Sequence, residues 1–152
     1  MDIILRKAKD SEIRYIQNFA KDVINKNYRD FLGNEAVDFF IGSGASDQYM
    51  QDNISDTILA VVEDKIVGMC ICKENLIDLF MIQNETQNQG IGRAFINMIS
   101  EELLKKYPRI RVECFEKNVK ANRFYVRNGW LQEKIVFDEE ISDNRIYYHK
   151  MK

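Results

Sequence analysis

The segment LIDLFMI, from Leu76 to Ile82, is a nearly unbroken apolar run with polar residues on both sides. A short run of this kind is typical of a β-strand that is buried on both faces. After a polar loop, Gly90 to Lys106 carries apolar residues at helical spacing, and Pro108 ends that helix. A buried strand that leads directly into a helix requires a sheet with helices packed on it, which indicates an α/β fold.

The other patterns before this strand predict one strand, helical segments and a hairpin. IILRKA is a short strand, and Asp10 or Ser11 is placed to cap the helix that follows. NEAVDFF predicts a second, shorter helix ended by Gly42 and Gly44, and residues 46 to 53 add one or two helical turns. DTILAVVEDKIVGMCIC predicts two strands joined by a tight turn at Glu63 to Lys65.

The patterns after Pro108 predict three further strands and one helix. IRVECF alternates, with Ile110, Val112 and Cys114 on one face and Arg111 and Glu113 on the other. Asn118 caps a helix that runs to Arg127, and Asn128-Gly129 ends it. WLQEKIVF and RIYYHKMK close the chain as strands. We therefore expect one domain over residues 1–152, with a mixed, mostly antiparallel sheet of about six or seven strands flanked by helices.

Composition narrows the classes of function. The net charge of -2 gives no general attraction to nucleic acid or to an anionic membrane. No apolar run approaches the roughly 20 residues of a membrane span, and the N-terminus becomes charged too early for a signal peptide. Three cysteines, an odd number, argue against a disulfide framework and for a reducing, cytoplasmic location. With His149 as the single histidine, no metal site is expected.

The loop TQNQGIG, from Thr86 to Gly92, has the features of an anion site. It opens a helix, whose first N–H groups lack intrahelical partners and whose dipole makes this end electropositive. Glycines at 90 and 92 allow an anion to approach those amides. A dinucleotide fingerprint would need glycine at Phe95, and a P-loop would need lysine after Gly92, where Arg93 stands.

Together with NVKANRFYVRNGW, this loop resembles the two motifs of the GNAT superfamily of N-acyltransferases. The first motif, Q/R-x-x-G-x-G/A, is matched by Gln87, Gly90 and Gly92. The second is matched in order by Asn118, Ala121, Phe124, Tyr125, Gly129 and Trp130. The family often has glycine at Asn88 and a cation at Gln89, so this chain leaves more of the anion binding to backbone amides.

The resemblance implies that the loop binds the pyrophosphate of acetyl-CoA and that the edge at Ile82 pairs with the pantetheine arm. Arg93, Lys120 and Arg123 are the cations that could meet the ribose phosphate, although a solvated helix face explains them equally well. The cofactor-binding residues expected on this basis are Ile82, Gln87, Asn88, Gln89, Gly90, Ile91, Gly92, Arg93, Asn118, Asn122 and Tyr125.

Two residues are candidates for the proton transfers of acyl transfer to an amine. The resemblance makes Tyr125 the acid that protonates the departing CoA thiolate, and a phenol suits that role. Asp78 interrupts an apolar strand, where a carboxylate is costly unless it is paired or functional, so it is the candidate base. A paired, structural Asp78 and a base at His149 remain alternatives.

The sequence says least about which residues form the acceptor pocket. Tyr28, Phe31, Glu35, Tyr147 and Tyr148 are plausible lining residues, and Glu35 would favour a cationic amine, although glutamate is common at helix starts. We expect an acetyl-CoA-dependent N-acetyltransferase that acts on a small-molecule or peptide amine. A homodimer is also expected, because dimers are common among domains of this kind. The alternatives are a GNAT-fold module that binds acyl-CoA or a partner with little catalysis and, less favoured, a nucleic-acid-binding domain.

Overall fold

The computed structural model describes residues 2–152, which form seven β-strands and six α-helices. Three short 3-10 turns lie at Asp10–Glu12, Ile54–Asp56 and Asn84–Thr86. The elements in chain order are β1 (Ile4–Lys7), α1 (Ile13–Asn27), α2 (Arg29–Leu32), α3 (Asn34–Gly42), α4 (Ala45–Asp52), β2 (Thr57–Val62), β3 (Lys65–Lys73), β4 (Leu76–Ile82), α5 (Ile91–Lys106), β5 (Arg109–Phe115), α6 (Val119–Arg127), β6 (Leu131–Asp138) and β7 (Asp143–Met151).

Hydrogen bonds join the strands in the order β1-β2-β3-β4-β5-β7-β6. β4 and β5 run parallel, whereas the β1–β2, β2–β3, β5–β7 and β6–β7 pairs are antiparallel. The expected α/β fold with a mixed, mostly antiparallel sheet is therefore confirmed, and the sheet has seven strands.

The chain forms two compact units. The first comprises the residues up to Ile71 together with Phe80–Phe95, and the second comprises Cys72–Leu79 and Ile96–Lys152. In the first unit, the apolar stripe of α1 is buried, as its helical spacing predicts. In the second unit, β5 buries Ile110 and Val112 on one face, as its alternation predicts. The expectation of one domain over residues 1–152 stays a prediction.

Two local expectations are wrong, and one short helix is not predicted. β4 is not buried on both faces, because only Ile77 and Met81 are fully buried and the side that carries Asp78 stays half-buried. Neither Asp10 nor Ser11 caps α1, because a 3-10 turn precedes the helix and its Glu12 carboxylate accepts the Lys9 N–H. A further short helix, α2, follows α1 directly where no helix is predicted.

The hairpin between β2 and β3 lies where the sequence predicts it. The residues of its turn, however, are not the ones typical of the turn type that forms. Glu63 and Asp64 both have positive φ, at 49° and 65°, as a two-residue type I′ turn requires. Asn-Gly is the usual signal for this turn, and neither residue is present in the turn. The turn is therefore determined by the pairing of its two strands rather than by its own residues.

Candidate active site

The loop after β4 folds back onto the end of that strand. Backbone N–H of Gln83 donates to the carbonyl of Val67 at 2.8 Å, and the Gln87 side-chain amide donates to the carbonyl of Ile82 at 3.1 Å. Gln87 therefore contributes to the shape of the loop through its side chain, which the sequence motif alone does not reveal.

Two left-handed residues turn the loop into α5. Asn88 has a φ of 63° and Gly90 a φ of 80°, a region that glycine enters freely and that asparagine tolerates better than most residues. This requirement explains why asparagine is accepted at position 88. Asn88, Gln89 and Gly90 are exposed and α5 begins at Ile91, so the helix start that the motif predicts as an anion site faces solvent.

The C-terminal end of α1 contacts the loop through a pair of amides and an ion pair. Asn27 Nδ2 donates to Asn84 Oδ1 at 2.7 Å, and Asn84 Nδ2 donates back to Asn27 Oδ1 at 3.2 Å. Lys26 lies 3.1 Å from Glu85. These contacts fix the first residues of the loop to a helix of the same unit.

The two asparagines of the second motif are engaged in hydrogen bonds within their own unit. Asn118 Oδ1 accepts the Ala121 N–H at 3.2 Å, so it is the predicted cap of α6. Asn122 Nδ2 donates to the carbonyls of Phe115, Glu116 and Asn118, and its Oδ1 accepts the Tyr148 hydroxyl at 2.6 Å. For Asn122 this geometry favours a structural role; its contact with the cofactor stays a prediction.

Tyr125 is deeply packed. Its residue surface is 4% exposed, and its ring meets the ring of Trp130 edge-on at 6.1 Å and the ring of Tyr148 at 5.8 Å. The aromatic positions of the second motif thus form one cluster that determines where the phenol lies. Its role as the acid stays a prediction.

Asp78 lies in a polar cluster that includes a second carboxyl group, Glu113. Asp78 and Glu113 are hydrogen-bonded to each other across β4 and β5, and Glu113 also bonds to Tyr147 and lies 3.4 Å from Arg145 Nη1. Glu113 stands opposite Tyr147 in the β5–β7 register. From the sequence, Glu113 is only one of the residues on the polar face of an alternating strand. Its role in the cluster could have been predicted only from the pairing of β4 with β5, which sets it beside Asp78.

Burial and neighbouring charges shift the pKa values in this cluster. Burial raises the pKa of Glu113, and Asp78 raises it further, whereas Tyr147 and Arg145 act to lower it. Burial and the Glu113 carboxyl raise the pKa of Tyr147 to about 12. The arrangement can hold a proton on a carboxyl group at a pH where an exposed carboxyl is ionised.

The predicted acceptor residues fall into separate groups. Tyr28 and Phe31 lie together in the first unit, with ring centroids 5.0 Å apart, and Glu35 is exposed in the first turn of α3. Tyr147 lies in the second unit, under Arg111 and Lys134, whose cationic groups stand 5.0 and 5.1 Å from its ring centroid. The acceptor pocket itself stays a prediction.

Tyr148 and His149 have internal partners. Tyr148 is 3% exposed and donates to Asn122, so its inclusion in the acceptor lining is wrong. The reason is that neighbouring residues of a strand point to opposite faces, so Tyr147 and Tyr148 cannot line the same site. His149 Nδ1 lies 3.4 Å from Arg109 and 3.9 Å from Glu133, which places it in a charged cluster beside β6.

Among residues 2–152, no group of three or more histidine, cysteine, aspartate or glutamate side chains is arranged to hold a metal ion. Over the same residues, no helix combines the length and the apolar character that crossing a membrane demands.

Comparison with known proteins relates this geometry to a family. The family model described as "Acetyltransferase (GNAT) domain" matches residues 16–152. The fold is similar to that of PaiA N-acetyltransferase from Thermoplasma acidophilum, solved in complex with coenzyme A, at 17% identity and a TM-score of 0.78 over 100% of both chains. It is also similar to a GCN5-related N-acetyltransferase from Rhodopseudomonas palustris, at 13% identity and a TM-score of 0.83 over 100% of this chain and 97% of that one. Ard1 from Thermoplasma volcanium matches at 16% identity and a TM-score of 0.70 over 99% and 98% of the two chains.

Proposed function

This chain belongs to the GNAT acetyltransferase family, and on that premise we propose that it moves an acetyl group from acetyl-CoA to a primary amine. The acceptor is the amine of a small molecule or of a peptide, and it attacks the thioester directly while both substrates are bound. The observation that carries the proposal is the loop from Gln83 to Gly92, whose left-handed Asn88 and Gly90 lead into the exposed start of α5.

The donor side of the proposal is supported by the chemistry of this loop. Helix-start amides bind phosphate oxygens by hydrogen bonds and by the helix dipole. Gln87 ties the loop to the end of β4, so these amides are held before the donor arrives. The coenzyme A complex of the Thermoplasma PaiA protein, which has a similar fold, supports coenzyme A as the carrier. Arg93 is exposed in the first turn of α5, where a cation can reach a phosphate.

The acceptor side must solve a proton problem. An alkylammonium with a pKa of about 10.4 is neutral for only about 0.04% of the time at pH 7, which corresponds to roughly 4–5 kcal/mol. Asp78 is the proposed base that receives the first proton, and it lies in a cluster with a second carboxyl group. Tyr125 is the proposed acid that gives a proton to the departing thiolate. Tyr28, Phe31, Glu35 and Tyr147 are the proposed acceptor contacts.

A reducing location fits the same proposal. The three cysteines form no disulfide, and burial followed by the charge of Glu113 raises the pKa of Cys114 to about 12, which makes it a poor nucleophile. We therefore place the protein in the cytoplasm, where acetyl-CoA is available to it.

The test is turnover with a panel of amines and acetyl-CoA, followed as release of free thiol. We expect release that depends on the amine, together with a rise in the melting temperature when acetyl-CoA is added. A rise in melting temperature without turnover for any amine would favour an acyl-CoA-binding module. No rise in melting temperature would refute the binding of acetyl-CoA itself.

The role of Tyr125 is tested by Tyr125→Phe. The ring and its contacts with Trp130 and Tyr148 are kept, so we expect folding and the Kd for acetyl-CoA to be unchanged and kcat to fall by about 10-fold or more. Tyr15→Phe is the matched control, because Tyr15 is 50% exposed on α1. Weaker acetyl-CoA binding with unchanged kcat would show that Tyr125 positions the donor rather than protonating the thiolate.

A further inference from the structure

β6 lies at one end of the strand order, so its outer backbone groups face no other strand of the described chain. An open edge of this kind is a template for pairing with a further strand, and proteins usually protect it with charged residues, proline or a very short strand. The opposite edge, β1, is protected in this way, because it has four residues and ends in Arg6 and Lys7. β6 has eight residues and no proline, so it offers the longer and more open edge.

The middle of β6 is apolar and exposed on both of its faces. Ile135 is 48% exposed, Val136 40% and Phe137 61%, and all three are residue types that favour β-strands. Ile135 stands across from Ile146 of β7, which is buried, so the apolar layer of the sheet continues onto β6 while its cover does not. Exposed apolar residues that are contiguous rather than scattered indicate an interaction surface.

Charged side chains flank this apolar centre symmetrically. Lys134 lies two residues before Val136 and Asp138 two residues after it, so all three share one face of the strand. Ile135 and Phe137 each lie one residue from Val136 and share the other face. The segment is therefore complementary to itself when it is read in the opposite direction about Val136.

Two copies of β6 that pair antiparallel about a two-fold axis at Val136 use this symmetry. The axis stands perpendicular to the sheet, so only residues of the same face can stand opposite each other. With Val136 opposite its own copy, Lys134 stands opposite Asp138 of the second copy and Ile135 opposite Phe137, and each pair occurs twice. The neighbouring permitted registers set Val136 opposite Lys134 or Asp138 and lose both charge pairs.

The structure limits the length of this pairing. A bulge precedes Lys134, and β6 ends at Asp138, so at most five residues of each copy can form a regular ladder. The flanking charges are held at the edge by contacts within the chain: Lys134 lies over the Tyr147 ring at 5.1 Å, and Asp138 binds Arg145 at 2.7 Å. An interface of this length lies at the small end of specific contacts, so we expect micromolar rather than nanomolar affinity.

We propose that β6 pairs with β6 of a second copy of this chain, in the antiparallel register centred on Val136, and that the two sheets join into one. The sequence predicts a homodimer without indicating its interface, and the edge strand with its charges supplies one. The inference goes beyond the proposed function and does not depend on it, since strand pairing requires neither acetyl-CoA nor an acceptor.

The first experiment reverses charges in the full chain. Lys134→Asp places a carboxylate opposite each Asp138, and Asp138→Lys places an ammonium group opposite each Lys134. Each variant turns two attractive pairs into two repulsive ones, so the dimer Kd from sedimentation velocity over a dilution series should rise by about 10-fold or more. Lys7→Asp is the matched control: it makes the same charge change on the opposite edge strand, and its Kd should stay at the wild-type value.

A mixture of the two variants tests the register itself. In a heterodimer of Lys134→Asp with Asp138→Lys, both cross-strand pairs again join opposite charges. We therefore expect the mixture to recover a dimer at concentrations where each variant alone is monomeric.

A further variant avoids the loss of the bond between Asp138 and Arg145 that Asp138→Lys entails. Val136→Lys changes a residue that is 40% exposed and brings two ammonium groups together at the two-fold axis. It should keep its circular dichroism spectrum and be monomeric at concentrations where the wild type is dimeric.

Amide hydrogen exchange tests the edge without any variant. Alternate N–H groups of an edge strand point away from the sheet, and in a monomer they exchange with solvent. In concentrated wild-type protein we expect those of residues 134–138 to be protected, and dilution should remove the protection.

The outcomes decide the occupant of the edge and the register separately from the activity. A wild-type chain that stays monomeric up to about 1 mM overturns a second copy as the occupant and leaves the edge to a different chain. A dimer that both charge reversals leave unchanged, or a mixture of folded variants that recovers no dimer, overturns the pairing centred on Val136. The proposed function is tested by turnover and stands or falls independently of these results.

Discussion

A methyl group added at Gly68 on β3 would collide with residues that flank the candidate donor loop. Gly68 is buried, and a Cβ atom at this position would lie 2.9 Å from Ile82 Cδ1, 3.1 Å from the Met81 carbonyl oxygen and 3.1 Å from Phe95 Cδ2. Comfortable contacts between carbon atoms are about 3.5–4.0 Å. The Ile82 methyl group can rotate away, but Met81 contributes backbone of β4 and Phe95 is fully buried. Gly68→Ala therefore forces β4 and the start of α5 to move.

The expected change in the free energy of unfolding of Gly68→Ala follows from two opposing effects. Insertion of a methyl group into a packed core costs about 1–3 kcal/mol. Alanine also restricts the unfolded chain, which offsets about 0.4–1 kcal/mol where the native backbone suits it. The net expectation is a loss of about 1–2 kcal/mol in the free energy of unfolding. For a protein of this size, that loss lowers the melting temperature by roughly 2–8 °C.

The assay is urea denaturation of Gly68→Ala, with Gly42→Ala as the matched control. Gly42 ends α3, and a Cβ atom there would have no neighbour within 4 Å, so alanine should be neutral or slightly stabilising. Because Ile82 and Phe95 flank the loop, we also expect the Kd for acetyl-CoA to rise for Gly68→Ala and not for Gly42→Ala. A Gly68→Ala protein as stable as the wild type, with an unchanged m-value, would refute the packing argument.

Two further predictions concern other contacts of the first unit. Hydrogen bonds from Arg6 lower the pKa of Glu12 to about 2, so Glu12 stabilises the fold above pH 4.5 and loses this effect as the pH falls from 4.5 toward 2. The shift corresponds to at most about 3 kcal/mol, which solvent screening reduces to about 1–2 kcal/mol. Urea denaturation should show this acid loss in the wild type and in the exposed control Glu63→Gln but not in Glu12→Gln; an equal loss in Glu12→Gln would contradict it. Asn27→Leu removes the 2.7 Å bond to Asn84, and calorimetry should show a Kd for acetyl-CoA about 2–10-fold higher, whereas an unchanged Kd would mean that the amide pair does not position the loop.

Most elements of the fold could be predicted because their causes are local. The buried stripe of α1 follows from residue spacing, and the Asn118 cap and the Gly129 stop of α6 follow from backbone geometry at single positions. The loop before α5 was predicted for the same reason, since Gly90 has the positive φ that its residue type favours.

The errors occur where a contact with another element decides or where an element is too short to show a pattern. Glu12 binds Arg6 of β1, so the helix start differs from the one that Asp10 and Ser11 suggest. β4 was predicted as buried on both faces, but the apolar run alone does not reveal how far each face is covered. α2 is a four-residue helix, too short for its periodicity to be recognised.

The sequence by itself determined the succession of strands and longer helices along the chain, because helix spacing, strand alternation and turn residues act between near neighbours. It also contained the two motifs that indicate the family. Only the tertiary structure decided which side chains meet. Strand register brings Glu113 against Asp78, and the fold places Asn122 of α6 where its side-chain oxygen accepts the Tyr148 hydroxyl. Register depends on the pairing of segments far apart in the chain, so a carboxyl group that the alternation places on the polar face of a strand can become half of a partly buried acidic pair.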